Sequence, residues 1–282
     1  MPRTASTSLF HILGQHPRVF RPFRKEVGYF LFNHHRPEQW YLDAYAGAEA
    51  SQRCIDVTPE YFFSRDTVQR IAAFGSRARV VIGVRDPASF ALSLHAEYGK
   101  RYRMPPIEAF VERYAYTRGS ARIEFSLASG AIREMLDRYA RGIPGGVLFY
   151  DFAAFRTDPV SVLRAIETFM GVDPHFTPAT FHNVHMNDRG RQSNRLLSWV
   201  LSAEPLIDAA SRLLPAPAMR AIARRVYRGG ASTQTPAADP RHEQPAPAWL
   251  REKLREDERF VARLFAGRAV HVVEGSSVTS HK

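Results

Sequence analysis

The sequence predicts an α/β fold of three layers, with a central parallel sheet and helices on both faces. Two observations lead to this prediction. Continuous apolar runs, typical of strands buried on both sides, occur at residues 53–57, 78–84 and 145–150. Longer segments with helical apolar spacing alternate with them, at residues 7–15, 67–74, 87–100, 126–141 and 159–170. Strands and helices that alternate in this way build a parallel sheet covered on both faces.

Start signals support two of these helices. Asp86 and Asp158 each precede a proline, which is an N-cap followed by the residue favoured at the first helical position. A last periodic helix is predicted at residues 249–265. Residues 229–248 before it are rich in Gly, Pro, Ala and Thr and are expected to form a flexible loop or lid. We expect a single domain over residues 1–282.

The charge of the chain indicates an anionic partner. Lys and Arg number 39 against 28 Asp and Glu, which gives a net charge of +11. No RNA-recognition motif or zinc-finger spacing accompanies this charge, so a phosphorylated or sulfated small molecule, or an acidic acceptor, fits better than nucleic acid. The one cysteine, Cys54, is expected to be a small core residue, which argues against redox chemistry and structural zinc. Without an evident membrane span or signal peptide, a cytoplasmic location is expected.

A small, hydroxyl-rich loop opens the chain. It reads Pro2-Arg3-Thr4-Ala5-Ser6-Thr7-Ser8 and leads directly into helical apolar spacing. Unpaired amides and the helix dipole attract anions at such a position, and the hydroxyls can donate to them. Arg3 would add a charge-assisted hydrogen bond. Ordinary capping by Ser or Thr is the alternative. The G-x-x-x-x-G-K-[ST] pattern is absent, which disfavours an ATPase or GTPase.

A second anion site is predicted where the strand at residues 80–84 ends in Arg85. Ser93 follows about two turns into the next helix. Both side chains can face the crevice where α/β sheets bind ligands, and together they can hold a phosphate. Alternatively, Arg85 forms a cap or a salt bridge and Ser93 packs as a small residue.

The opening loop and the later motif with Arg85 and Ser93 resemble, in this order, two motifs of the sulfotransferases that use 3′-phosphoadenosine 5′-phosphosulfate (PAPS). The opening loop is similar to their 5′-phosphosulfate loop, with Arg3 at the basic position and Ala5 where a glycine is usual. Arg85 and Ser93 match their 3′-phosphate motif. Segments similar to the heparan-sulfate-type members and their bacterial relatives occur at residues 16–17, 25–30, 56–62, 150–152, 158–171 and 249–268. The resemblance implies a fold like that of the P-loop NTPases and a reaction without a metal.

The same resemblance implies roles for single residues. The loop residues that would hold the 5′ end of PAPS are Arg3, Thr4, Ala5, Ser6, Thr7 and Ser8. Glu26 matches the general base of the heparan-sulfate-type members, and Arg3 would stabilise the leaving phosphate. Lys25, Arg24 and Arg21 are close enough in sequence to keep Glu26 ionised.

Several alternatives stay open. Asp56 is a second possible base, and His34, His35 and His95 are further candidates for proton transfer. These relatives carry a lysine where this chain has Val57, so contacts to the acceptor are expected to differ. For the basic loop that meets the nucleotide near the C-terminus, the candidates are Arg228-Gly229-Gly230 and, as a rival, Arg189-Gly190-Arg191.

The expected acceptor is a hydroxyl group of a carbohydrate or a similar molecule. A tyrosine in an acidic peptide is the alternative within this class, and a nucleotide-dependent kinase or a non-catalytic anion-binding protein lies outside it. A donor loop of this kind should leave the end of a buried parallel strand, yet only Met1 precedes Pro2. We therefore expect the first strand of the sheet to be truncated.

Overall fold

The computed structural model describes residues 1–23, 25–75, 77–181 and 245–275. The helices, numbered in chain order, are α1 Ser6–Leu13, α2 Glu38–Asp43, α3 Arg65–Phe74, α4 Pro87–Tyr98, α5 Ile107–Glu112, α6 Ala131–Gly142, α7 Phe152–Thr157, α8 Pro159–Met170, α9 Ala248–Lys253 and α10 Arg255–Phe265. The strands are β1 Val19–Phe20, β2 Arg53–Cys54, β3 Val80–Val84, β4 Tyr114–Arg118, β5 Ala121–Phe125, β6 Val147–Asp151 and β7 Val270–Val273. A 3-10 helix spans Pro59–Phe63.

The central sheet has the strand order β3-β6-β7. β3 and β6 run parallel, with Val80 opposite Val147 and Val84 opposite Asp151. β7 adds an antiparallel strand at the edge. A separate parallel pair consists of β1 and β2, and β4 and β5 form an antiparallel hairpin. The predicted α/β class is confirmed, while the hairpin and the antiparallel edge strand had no counterpart in the prediction.

Side chains of the central sheet alternate between two hydrophobic cores. Val80, Ile82, Val84, Val147 and Phe149 pack in the larger core, and Val81, Leu148 and Tyr150 pack in the smaller one. The larger core also holds side chains of α3, α4 and α6, whereas the smaller one holds side chains of α1 and α8. This alternation follows from the two-residue period of a strand. Both faces of the strands are buried, which explains why they appear as continuous apolar runs in the sequence.

The ends of the helices follow local capping rules where the cap lies next to the helix. Asp86 and Asp158 accept hydrogen bonds from the backbone N–H groups of Ser89 and Ser161, as predicted. The predicted start of the helix at residue 126 was wrong. α6 begins at Ala131 because the carboxylate of Asp257, on α10, accepts the N–H groups at its start.

Three other sequence predictions need correction. The helix at 249–265 consists of α9 and α10, separated at Leu254. The strand predicted at residues 53–57 is shorter in the structure, where β2 covers two residues. Cys54 is exposed rather than a core residue, because β2 has a strand partner on one side only among the described residues. None of the helices within the described ranges has the length and apolar character needed to cross a membrane.

Candidate active site

The opening loop enters α1 through residues with a left-handed backbone. Arg3 and Ala5 both have a φ of 61°, a region that residues other than glycine rarely adopt. Ala5 occupies the N-cap position of α1 and supplies no side-chain hydrogen bond. Ordinary capping by a Ser or Thr side chain therefore does not explain this loop. The amide groups at the start of α1 remain available to an anion.

Neighbouring strands fix the loop in place. The hydroxyl of Thr4 donates to the carbonyl of Met1 over 2.7 Å, and the hydroxyl of Tyr150 donates to the carbonyl of Thr4 over 2.6 Å. The backbone nitrogen of Met1 donates to the carbonyl of Gly83 over 3.1 Å. A Cβ atom at Gly83 would collide with Tyr150 and Thr4, so this close approach requires glycine. These contacts place the loop at the carboxyl end of β3, the edge at which α/β sheets bind ligands.

Arg3, Arg85 and Ser93 meet beside this loop although the loop and the strand-helix motif are far apart in sequence. Nε of Arg3 donates to Oγ of Ser93 over 3.1 Å, and Nη1 of Arg85 donates to the carbonyl of Arg3 over 3.5 Å. The guanidinium of Arg85 also lies over the ring of Phe152, 5.4 Å from its centroid. Burial, and next the charge of Arg3, lower the pKa of Arg85. An anion bound between these two arginines would relieve their repulsion.

Arg3 forms an ion pair with a carboxylate of α4. Nη1 of Arg3 lies 3.2 Å from Oε2 of Glu97 on α4, and the same carboxylate pairs with Lys100. Burial alone would raise the pKa of Glu97, but the hydrogen bond from Lys100 and the charge of Arg3 lower it overall. Glu97 therefore carries a negative charge beside the guanidinium that the resemblance assigns to the donor.

Glu26 lies in a second charged cluster. Its Oε1 accepts a hydrogen bond from Nζ of Lys25, and its Oε2 accepts one from Nη2 of Arg118, each over 2.7 Å. Burial would raise the pKa of Glu26, but the charges of Lys25 and Arg118 lower it overall. Its backbone is left-handed, with a φ of 63°, and strained backbone of this kind is concentrated at functional sites. The carboxylate is held ionised, as a proton acceptor must be.

Arg118, at the end of β4, joins Glu26 to a second glutamate. Its Nη1 donates to Oε1 of Glu60 over 2.6 Å. Oε2 of Glu60 is buried and has no hydrogen-bond partner among the described residues. Burial and then the charge of Glu26 raise the pKa of Glu60. Neither Arg118 nor Glu60 was among the residues predicted for the site.

Neighbouring residues at the end of α4 interact with both groups of charges. Glu97 contacts Arg3, and the hydroxyl of the next residue, Tyr98, lies 3.0 Å from the hydroxyl of Tyr116 on β4. Burial raises the pKa of both tyrosines, and the charge of Glu60 is a further cause. Tyr98 and Tyr116 are thus within the electrostatic reach of Glu26, Lys25, Arg118 and Glu60, which we call the base cluster. Their neighbour Glu97 belongs with Arg3 and Arg85, which we call the donor cluster.

Known proteins with similar sequences share sulfotransferase activity in their names. The chain is 28% identical over 179 residues to heparan sulfate glucosamine 3-O-sulfotransferase 3B1 of Mus musculus, which is 60% of this chain and 45% of that protein. It is 24% identical over 189 residues to bifunctional heparan sulfate N-deacetylase/N-sulfotransferase 2 of Homo sapiens, 61% of this chain and 21% of that protein. Over about three fifths of its length, the chain is therefore similar to sulfotransferases. It spans less than half the length of these two curated relatives.

Two other comparisons add little to this assignment. No family model matches the chain. The solved structure of a sulfotransferase from Alicyclobacillus acidocaldarius is 20% identical, covers 78% of this chain and 95% of its own, and superposes with a TM-score of 0.49. The similarity to sulfotransferases therefore rests on the sequence relatives.

The other candidate bases of this chain have structural partners. Asp56 accepts hydrogen bonds from the hydroxyls of Thr58 and Tyr61 over 2.8 and 2.7 Å, and burial raises its pKa. Nε2 of His95 lies 2.8 Å from the carbonyl of Pro105.

The remaining candidates for proton transfer, His34 and His35, also have contacts of their own. Nδ1 of His35 lies 3.1 Å from the hydroxyl of Ser120, and the ring of His34 packs edge-on against Tyr29. Glu26 is therefore a stronger candidate for the base than Asp56 or these histidines, because two cations hold its carboxylate ionised.

Some predicted residues are not described by the structure. They are Arg24, Arg228, Gly229, Gly230, the rival Arg189-Gly190-Arg191 and residues 229–244 of the predicted lid. Arg21, expected beside Glu26, lies with its guanidinium over the ring of Phe10, 5.1 Å from the centroid. Within the ranges that are described, no group of three or more His, Cys, Asp or Glu side chains is placed to hold a metal ion.

Proposed function

We propose that this protein transfers a sulfonate group from PAPS to a hydroxyl group of a carbohydrate. One observation carries the proposal, the hydrogen bond of 3.1 Å from Arg3 to Ser93. It joins the loop before α1 to the helix after β3, the two segments expected to hold opposite ends of one nucleotide. The sequence similarity to sulfotransferases supports the same donor.

The proposed donor site uses positive charge and free backbone amides. Arg3, the first amides of α1 and the half-buried hydroxyls of Ser6, Thr7 and Ser8 would bind the 5′-phosphosulfate. Arg85 and Ser93 would bind the 3′-phosphate. Thr4 would contribute only its backbone, because its side chain is buried and its hydroxyl already donates to Met1.

The proposed reaction is an in-line displacement at sulfur. The acceptor oxygen forms a bond to sulfur while the bond from sulfur to the 5′-phosphate oxygen breaks, and adenosine 3′,5′-bisphosphate leaves. The proton of the acceptor hydroxyl passes to Glu26, which Lys25 and Arg118 hold ionised. Arg3 stabilises the negative charge that develops on the departing phosphate.

The acceptor class comes from the relatives, whose names specify heparan sulfate. The net charge of +11 suits a sulfated or carboxylated carbohydrate, and it suits an acidic peptide as well. A panel with a heparan-type oligosaccharide, a neutral oligosaccharide and an acidic tyrosine peptide separates these acceptors. The cytoplasmic location stays a prediction from the sequence.

Calorimetric titration with adenosine 3′,5′-bisphosphate and with ATP tests the donor. We expect the bisphosphate to bind and ATP to bind at least about tenfold more weakly, because ATP lacks the 3′-phosphate that we propose for Arg85 and Ser93. Preference for ATP would favour a kinase. Binding of neither nucleotide would contradict the proposed donor site.

A further inference from the structure

Two hydroxyl groups hold the backbone of the segment that follows Glu26. The hydroxyl oxygen of Thr58 accepts a hydrogen bond from the N–H group of Gly28 over 3.3 Å. The hydroxyl oxygen of Tyr61 accepts one from the N–H group of Phe30 over 3.2 Å. Both hydroxyl-bearing side chains are buried, and they lie 30 and 31 residues further along the chain than the N–H groups they bind. A distant part of the sequence therefore sets the position of this segment.

One carboxylate, that of Asp56, orients both hydroxyls. Its Oδ1 accepts a hydrogen bond from the hydroxyl of Thr58 over 2.8 Å, and its Oδ2 accepts one from the hydroxyl of Tyr61 over 2.7 Å. A hydroxyl group has one hydrogen to donate and two lone pairs that accept. Because each hydroxyl hydrogen points at the carboxylate, the lone pairs of each oxygen are left for the backbone N–H groups. Asp56 thus acts on the segment through the two hydroxyls.

The carbonyl groups of the same segment are also bound. The carbonyl of Val27 accepts a hydrogen bond from Nδ2 of Asn33 over 2.8 Å. The carbonyl of Phe30 accepts one from the hydroxyl of Thr67 over 3.3 Å and one from Nη1 of Arg70 over 3.1 Å. Residues 27–30 therefore have partners on N–H and on carbonyl groups, and these partners fix the backbone on the carboxyl side of the candidate base.

Glu26 depends on this support because its own backbone conformation is unfavourable. Its φ is 63°, and a residue other than glycine keeps such a conformation only where the surrounding structure enforces it. Relaxation to a negative φ would move the carboxylate relative to Lys25 and Arg118, which both donate hydrogen bonds to it. The bound N–H groups lie only a few residues beyond Glu26, so they restrain this relaxation directly.

We propose that Asp56, Thr58 and Tyr61 form a positioning network for the candidate base. The network fixes the backbone on the carboxyl side of Glu26 and so directs its carboxylate at the acceptor hydroxyl. This proposal rests on the proposed function, in which Glu26 takes the proton of the acceptor. It gives Asp56 a task other than proton transfer. The task matters for the rate, because a displacement of about 1 Å in an active site can cost about 10²-fold.

Thr58→Val tests the network without changing a charge. Valine has the shape of threonine but can neither accept the N–H group of Gly28 nor donate to Asp56. We expect kcat to fall by about tenfold to a hundredfold, with affinity for adenosine 3′,5′-bisphosphate nearly unchanged. Thr58→Ser keeps the hydroxyl and should restore most of the turnover. Thr180→Val is the matched control, because the exposed hydroxyl of Thr180 also accepts an N–H group, that of Thr177, and donates to a carbonyl.

The pKa of Glu26 supplies a readout that needs no turnover. Carbon NMR of labelled glutamate side chains follows its titration, and comparison with Glu26→Gln assigns the signal. The two cations of the base cluster lower this pKa, while burial and the charges of Glu60 and Asp56 act against them. Displacement of the carboxylate from the cations in Thr58→Val should raise the pKa by up to about one pH unit. The acidic limb of kcat/KM should move to higher pH with it, whereas a merely structural role of Thr58 would lower Tm and leave the pKa and the limb unchanged.

A double variant connects Asp56 to the same network. Asp56→Asn removes one of the two carboxylate oxygens that accept, so kcat should fall about as much as in Thr58→Val. Addition of Thr58→Val to Asp56→Asn should lower kcat little further, because substitutions within one hydrogen-bond network are not additive. Losses that multiply independently would overturn the proposal, since Asp56 would then act without Thr58.

Tyr61→Phe covers the case in which Thr58→Val does not fold. It removes the second hydroxyl and should raise the pKa of Glu26 as well. A raised pKa in either folded variant supports the proposal. An unchanged pKa, or an equal loss of kcat in Thr58→Ser and Thr58→Val, would overturn it. Absence of sulfonate transfer by the unchanged protein would contradict the proposed function instead, and the NMR titration would still decide whether the network positions Glu26.

Discussion

The two charged clusters of the site differ in how their charges are balanced. In the donor cluster, Arg3 and Arg85 lie close together, and Glu97 is the carboxylate that partners Arg3. In the base cluster, two glutamates meet two cations, and Arg118 holds Glu26 and Glu60 at once. The first cluster has an excess of positive charge and suits an anionic ligand. The second is neutral as a whole and keeps one carboxylate ionised in a partly buried position.

From this difference we expect separate tasks for the two clusters. Changes in the donor cluster should alter nucleotide affinity, and changes in the base cluster should alter turnover and its pH dependence. A substitution that changes nucleotide affinity and turnover equally would contradict this separation of tasks.

The largest effect is expected for Glu26→Gln. The amide cannot accept the acceptor's proton, so kcat should fall by about 10²- to 10⁴-fold, while affinity for adenosine 3′,5′-bisphosphate stays nearly unchanged. Steady-state kinetics and calorimetry measure the two quantities. Glu108→Gln, on the exposed side of α5, is the matched control. Unchanged turnover in Glu26→Gln would move the role of the base to Asp56 or a histidine.

The next effect concerns recognition of the 3′-phosphate. Arg85→Ala should lower the affinity for adenosine 3′,5′-bisphosphate by about tenfold to a hundredfold, because it removes a charged hydrogen bond to the 3′-phosphate. The affinity for AMP, which lacks this phosphate, should stay almost unchanged. Titrations with the two nucleotides measure this preference, and Arg113→Ala at an exposed position serves as the control. An equal loss of affinity for both nucleotides would show that Arg85 supports the fold and does not bind the 3′-phosphate.

Two substitutions in the base cluster should shift the pH profile in opposite directions. Arg118→Met removes a cation that lowers the pKa of Glu26, so the acidic limb of kcat/KM should move to higher pH. Glu60→Gln removes a neighbouring negative charge, so the limb should move to lower pH. Shifts of up to about one pH unit are expected from neighbouring charges. Shifts of the same sign, or no shift in either variant, would mean that the titrating base is not Glu26.

The smallest effect is expected for Glu97→Gln. Arg3 loses a partly exposed ion pair, so affinity for adenosine 3′,5′-bisphosphate should rise a few-fold, in keeping with about 0.2–1 kcal/mol for such pairs. The gain should shrink as salt is added, because salt screens the pair. Glu108→Gln again serves as the control. Weaker binding in Glu97→Gln would show that Glu97 positions Arg3 for the ligand.

The sequence was most informative where a residue stands at the junction of two elements. Arg3 precedes α1, Arg85 follows β3, and Ser93 lies on the first helix after that strand, so each could be placed by local rules. Their meeting follows from the parallel sheet, because a loop and a strand end share one edge. Glu26 was predicted as the base from the family resemblance and not from the pattern of the residues next to it in sequence.

The base cluster shows what local patterns could not supply. Arg118 reaches Glu26 across 92 residues, from a hairpin that had no counterpart in the prediction. Cys54 was predicted to be buried because a strand in the middle of a sheet would bury it, whereas β2 pairs only with β1 in the part of the chain that the structure describes. Both failures depend on which strands pair, and pairing is decided by contacts far apart in the chain.

Sulfonate transfer itself tests the central claim most directly. The protein is incubated with isotopically labelled PAPS and a heparan-type oligosaccharide, and the products are analysed by mass spectrometry, with Glu26→Gln in parallel. The account predicts labelled oligosaccharide and adenosine 3′,5′-bisphosphate from the unchanged protein, and little of either from Glu26→Gln. Labelled oligosaccharide in equal amounts from both proteins, or no labelled product from a protein that binds the bisphosphate, would contradict it.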